Sequence, residues 1–109
     1  MTTIALDHEW VETAQLFGDA KSIIKEALRI YAIQQCQHRI DGATAKITVY
    51  TRKYKVDHET FVQMIQTNEK FLTEAESQYP MWEQDIMEWE YWLEEQQTWH
   101  TQLEIIMQR

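Results

Sequence analysis

The stretch Cys36-Gln-His-Arg-Ile40-Asp-Gly-Ala43-Thr-Ala-Lys-Ile47-Thr-Val-Tyr50-Thr-Arg-Lys-Tyr54 places its apolar residues at alternating steps of four and three. That spacing keeps one edge of a helix facing a neighbouring helix along its whole length, as in a coiled-coil seam. Upstream, Ala20, Ile23, Ile24, Ala27, Leu28 and Tyr31 trace an apolar face of the same segment. An uninterrupted helix to Lys53 would be about 50 Å long at 1.5 Å per residue. Gly42 lies inside it and costs about 1 kcal/mol relative to Ala, while Thr44, Thr48, Val49 and Thr51 lower helix propensity locally. Either the helix passes through this region or it bends or breaks between Asp41 and Ala45.

Signals on both flanks continue the helical pattern. Asp7 reads as an N-cap with Leu6 and Val11 positioned as a hydrophobic staple, and Glu9 falls in the first turn. The helix so launched is expected to reach about Phe17, where Gly18 suits a left-handed terminus and Asp19 or Ser22 caps the next helix. After Tyr54, Val56 and Phe61 can staple around Asp57, starting a short helix to about Gln66. Thr67 or Asn68 caps another through Glu69, Phe71, Leu72 and Ala75. Pro80 forces Tyr79 into an extended conformation and suits the first position of the last helix. That helix has two seams, one of Trp82, Ile86, Trp89 and Leu93, the other of Trp89, Trp92, Trp99, Leu103 and Ile106. So wide an apolar face predicts burial against more than one neighbour.

Composition agrees with a folded, mainly α chain. Its 109 residues are 44% hydrophobic and 12% aromatic, with only two Gly and one Pro to make turns, a balance that excludes a disordered protein and disfavours extensive sheet. Only residues 2–6, Thr-Thr-Ile-Ala-Leu, alternate in the manner of a short strand. Charge divides the chain sharply. Residues 1–56 hold eight Lys/Arg and six Asp/Glu, a net of +2, whereas residues 57–109 hold two against twelve, a net of −10. The acidic half contains every tryptophan except Trp10, and its field repels phosphate and attracts basic protein surfaces. The single Cys36 has no disulfide partner, and neither a leader nor a run of about 20 apolar residues is present. These features lead to an expectation of a cytoplasmic protein without membrane association.

The segments Thr2-Thr3-Ile4-Ala5-Leu6-Asp7, Leu16-Phe17-Gly18 and Ser22-Ile23-Ile24-Lys25-Glu26-Ala27-Leu28-Arg29-Ile30-Tyr31 resemble the ribbon-helix-helix region of small prokaryotic antitoxins. The later segments Tyr54-Lys55-Val56-Asp57 leading to Phe61, and Asp85-Ile86-Met87-Glu88-Trp89-Glu90, are similar to helical antitoxin-like proteins encoded beside a small toxin in cyanobacteria and archaea. The resemblance implies an N-terminal strand paired with its symmetry mate, a dimer core of two helices, and a strand face directed into the DNA major groove. With Ile4 and Leu6 facing the core, Thr3 and Ala5 would face DNA, and Lys21 and Lys25 would contact phosphates. Thr3 and Ala5 cannot make the bidentate contacts that discriminate bases, so operator binding would be weak. The implied organisation is a ribbon-helix-helix-like dimerisation unit over 1–35, a long-helix continuation over 36–56, and an acidic, Trp-rich helical hairpin or bundle over 57–109.

Other chemistry has little support. Asp7-His8-Glu9 and Asp57-His58-Glu59 place adjacent side chains on different sides of a helix, and His100 with Glu104 lacks the repeated Glu-x-x-His of a di-iron site. Cys36 has no nucleophile motif around it, and the two glycines are too far apart for a phosphate loop. We therefore expect no catalytic residues, no metal and no cofactor. The aromatic run has two readings: tryptophans at helical spacing form an internal core, or Trp82, Trp89, Trp92 and Trp99 with Glu88, Glu90, Glu94 and Glu95 form an interface for a basic partner. The expected function is an antitoxin that dimerises and covers a cognate basic toxin, such as a ribonuclease, while binding operator DNA weakly. The alternative is a non-enzymatic helical structural or adaptor protein that self-associates through coiled-coil seams.

Overall fold

A computed structural model describes residues 3–109. Five helices follow one another: α1 (His8–Gln15), α2 (Ala20–Tyr54), α3 (His58–Thr67), α4 (Glu69–Gln78) and α5 (Trp82–Met107). The mainly α expectation holds, but the N-terminal strand does not. Thr3 to Asp7 form an irregular lead, Thr2 lies outside the described residues, and no strand occurs among the described residues. Alternating side chains make a strand only where a neighbouring edge accepts the backbone hydrogen bonds, and no such edge lies beside this lead. Ile4 and Leu6, expected in a core, are instead exposed.

Capping determines where each helix begins. Asp19, Asp57 and Asn68 accept from the backbone N–H of Ser22, Thr60 and Phe71 at 3.0, 2.7 and 3.1 Å, satisfying donors that lack intrahelical partners. Each backbone hydrogen bond holds its aspartate carboxyl below the usual carboxylate range at Asp19 and Asp57, with help from the cap hydroxyls of Ser22 and Thr60. Asp7 occupies the corresponding place before α1 without making a side-chain cap bond. Two boundaries differ from expectation. α1 stops at Gln15, where Leu16 and Phe17 turn through hydrogen bonds to the carbonyls of Thr13 and Ala14. Pro80 sits before α5 rather than within it, in a turn closed by Trp82 N–H on the Tyr79 carbonyl at 2.9 Å. Its restricted φ fits the second position of such a turn.

α2 runs unbroken through Gly42. Thr44, Thr48 and Thr51 donate their hydroxyls to the carbonyls of Ile40, Thr44 and Ile47 at 2.8, 2.8 and 3.1 Å, so their polar groups are satisfied within the helix. It ends where Lys55 turns left-handed at φ 62° and donates its N–H to the Thr51 carbonyl. α5 then returns antiparallel along α2. Their register is visible in Lys53 against Asp85, Tyr50 against Glu88, Thr44 against Gln96, Arg39 over Trp99, and Arg29 against the Met107 carbonyl. The result is a rod of 68 × 21 × 20 Å.

The two apolar series on α2 turn out to serve different neighbours. Cys36, Ile40, Ala43 and Tyr54 are buried, with Ile47 and Tyr50 half-buried, on the side that α5 and α3 cover. Ala20, Ile23 and Ile24 are half-buried at the end where α1 packs. At 3.6 residues per turn the five-residue step from Tyr31 to Cys36 rotates the stripe, leaving these two groups about half a turn apart. Between them, Ala27, Leu28 and Tyr31 remain exposed. On α5 both expected seams are buried or half-buried throughout.

Gly42 is exposed, and a Cβ added there meets nothing within 4 Å. Gly42→Ala should therefore stabilise the fold by about 1 kcal/mol through helix propensity and reduced unfolded-state entropy. Urea denaturation monitored by circular dichroism should show a higher midpoint at unchanged slope; a lower midpoint would mean that α2 needs flexibility here.

Candidate functional site

The densest chemistry lies where the C-terminal end of α2 meets α3 and the first half of α5. The Val56–Phe61 staple folds α3 back so that Phe61 is enclosed, and the α5 seam brings Trp89 into the same core. Trp89 is 0% exposed and Phe61 1%, with Tyr54 buried between them. Ring centroids lie 4.5 Å apart for Tyr54 and Phe61, 5.9 Å for Tyr54 and Trp89, and 6.3 Å for Phe61 and Trp89. Tyr79, Phe71 and Trp82 add edge contacts, and His58 sets its ring edge-on to Trp89 at 5.3 Å. Such offset and edge-to-face pairs contribute about 0.5–1.5 kcal/mol each beyond area burial.

A polar belt surrounds this core. Asp85 receives hydrogen bonds from Lys53 Nζ at 2.6 Å and from the Tyr54 hydroxyl, while the Tyr50 hydroxyl donates to Glu88. Burial, followed by the hydrogen bond to Glu88, pushes the Tyr50 phenol up to about 12, and burial with Asp85 drives Tyr54 higher still. His58 Nε2 lies 3.1 Å from Glu90. Farther along α5, Trp99 Nε1 donates to Glu95 at 2.9 Å, and the Arg39 guanidinium stands 4.6 Å from the centre of the Trp99 ring. Lys46 lies 6.0 Å from the Trp92 ring.

These contacts change how the acidic half is read. Seven of the eight expected partner-binding residues engage their own chain: Trp82, Trp89, Trp92 and Trp99 face the hairpin, and Glu88, Glu90 and Glu95 hold Tyr50, His58 and Trp99. Glu94 alone of the set is exposed without a side-chain partner among the described residues. Trp89 is core and Trp82 packs against it, Trp92 and Trp99 are half-buried beside α2 cations, and part of the charge asymmetry is the complementarity of α5 for α2. Glu83, expected in the same acidic rim, is outward-facing, and so are Glu59, Glu69, Glu74 and Glu76, which the sequence did not single out for a partner. Met87 and Tyr91 are exposed on α5 one turn apart. A helical wheel drawn against the α5 seams would have separated these outward residues from the inward ones.

The expected DNA-facing residues do not form a reading surface. Thr3 and Ala5 are exposed in the irregular lead, and Lys21 and Lys25 are exposed on α2. Without a strand there is no ribbon to insert into a groove. His8 pairs with Glu12 at 2.8 Å, and His58 with Glu90, rather than with their sequence neighbours. Among the described residues no three His, Cys, Asp or Glu side chains converge in a metal-binding group. Cys36 is buried, and among the described residues no helix is long and apolar enough to cross a membrane.

In comparisons with known protein families, curated proteins and solved structures, nothing matches this chain.

The raised phenols give the core a defined alkaline limit. A phenol whose folded pKa exceeds its unfolded value contributes stability that is fully present below pH about 10 and lost as pH rises through the folded value. Ultraviolet titration should show Tyr50 ionising near pH 12, and resistance to denaturant should decline over the interval between. Tyr50→Phe should shrink that alkaline decline; an unchanged pH profile would mean that Tyr50 is solvated like an ordinary surface phenol.

Proposed function

We propose that this protein is a non-catalytic binding module that captures a basic protein on the outward carboxylates of α3, α4 and α5, in the manner of an antitoxin covering its toxin. The observation carrying this reading is that Glu59, Glu69, Glu74, Glu76, Glu83 and Glu94 are all exposed and have no salt-bridge partner among the described residues. They are concentrated on the half of the rod that includes α3, α4 and the first part of α5. Exposed Met87 and Tyr91 supply apolar contact among them, matching the pattern of an apolar anchor with a charged rim. If the partner is a ribonuclease, these carboxylates would occupy positions meant for substrate phosphates.

The buried aromatics act indirectly in this scheme. Trp89 and Phe61 hold α3 and α5 together and so fix the spacing of the carboxylates they display. The partner surface consists of the remaining outward groups.

Co-expression with the product of the adjacent gene, followed by affinity capture and a growth assay, tests the proposal. A basic neighbour should be retained and its effect on growth suppressed. Changing Glu59, Glu69, Glu83 and Glu94 to Gln should slow association by about tenfold at low salt and flatten its salt dependence, with little change in helicity. Capture that is equally fast with the neutralised variant, or a neighbour that is neither bound nor harmful, would overturn the reading.

A further inference from the structure

The end of the rod opposite the aromatic core is unfinished. α5 reaches Met107 beside Arg29, and α1 covers a different side of α2, so the stripe between them has no neighbour among the described residues. A cleft of about 380 Å³ opens there, floored by Leu28, Ala32 and Ile106 and rimmed by Lys25, Arg29 and Arg109. At this end of the rod Trp10, Leu16, Phe17, Leu28, Tyr31 and Met107 are between 57% and 78% exposed. Monomeric proteins rarely leave so many large apolar side chains uncovered at one end.

We propose that a second copy of this chain covers this end, each copy laying its α1 against the basic-rimmed cleft of the other. The surface is complementary to itself. α1 buries Ala14 and leaves Trp10 exposed one turn before it, with Phe17 exposed in the turn that follows the helix. Its exposed Glu9 and Glu12 carry the charge opposite to Lys25, Arg29 and Arg109. The same end of the rod therefore carries both an acid-flanked apolar helix and a cation-flanked apolar cleft. A two-fold axis brings each feature against its complement twice, which closes the assembly.

The available area is also sufficient. Three rings of about 150–250 Å² each, left about two-thirds open, offer roughly 400 Å². The three aliphatic side chains bring the total close to the ~800 Å² that each partner contributes to a standard interface. This dimer uses the opposite end of the rod from the acidic surface, so the two bindings succeed or fail independently.

Sedimentation equilibrium of the full chain at micromolar concentration should give twice the 13.2 kDa chain mass. Leu28→Glu changes a side chain that is exposed in the single chain, so it should leave the circular dichroism intact while weakening dimerisation by at least about tenfold. Glu9→Lys/Glu12→Lys and Lys25→Glu/Arg109→Glu should each dissociate alone, and an equimolar mixture of the two should recover the dimer, because in both cross-contacts the altered charges then face opposite ones. A wild-type monomer, a dimer indifferent to Leu28→Glu, or a mixture that stays monomeric would overturn the proposal.

Discussion

Burial of Trp89 against Tyr54 and Phe61 is the contact on which the rest of the arrangement rests. It joins three helices at one point: α2 through Tyr54, α3 through Phe61 and α5 through the indole itself. It adds a large apolar lock at one end of an α2–α5 seam that elsewhere includes Ile40, Ala43 and the Thr44–Gln96 hydrogen bond. Removing a fully enclosed aromatic costs about 3–5 kcal/mol. Against a total stability of about 5–15 kcal/mol for a domain, that is enough to make this junction decisive.

The polar belt extends the same logic to charge. Asp85 is placed by the α5 seam where Lys53 and the Tyr54 hydroxyl converge on it, so a carboxylate near the core has both a cation and a hydroxyl donor. A buried acid left alone would be destabilising. Tyr50 with Glu88, and His58 with Glu90, repeat the pattern nearer the surface. Several acids that seem surplus in composition are therefore structural, and those available to a partner are the ones directed away from α2.

The two ends of the rod consequently differ. At one end short helices fold over the hairpin and complete an aromatic core; at the other, α1 and the last turn of α5 approach α2 from different sides and leave apolar surface between them. Acidic groups dominate the outward surface of the finished half, while the open end mixes a basic cleft with an acidic helix. The two ends thus present different surfaces, one acidic over an aromatic core and the other apolar with mixed charge.

The helical class, the caps at Asp19, Asp57 and Asn68, the Val56–Phe61 staple and both seams of α5 could be read from residue order, because each depends on neighbours within a few positions. The five-residue step from Tyr31 to Cys36 was equally present in the sequence, and it is the signal that α2 changes the side it offers to its neighbours. Tertiary structure decided the remainder. Whether Thr3-Ile4-Ala5-Leu6 became a strand depended on an edge to pair with, which no local pattern supplies. Whether Trp99 and Glu95 faced a partner or each other depended on Arg39 and the α2 surface arriving opposite them, sixty residues away in one case. Periodicity defines which side of a helix is apolar; only packing determines what lies against it, because the same apolar side is stabilised equally by the chain's own helices or by another protein.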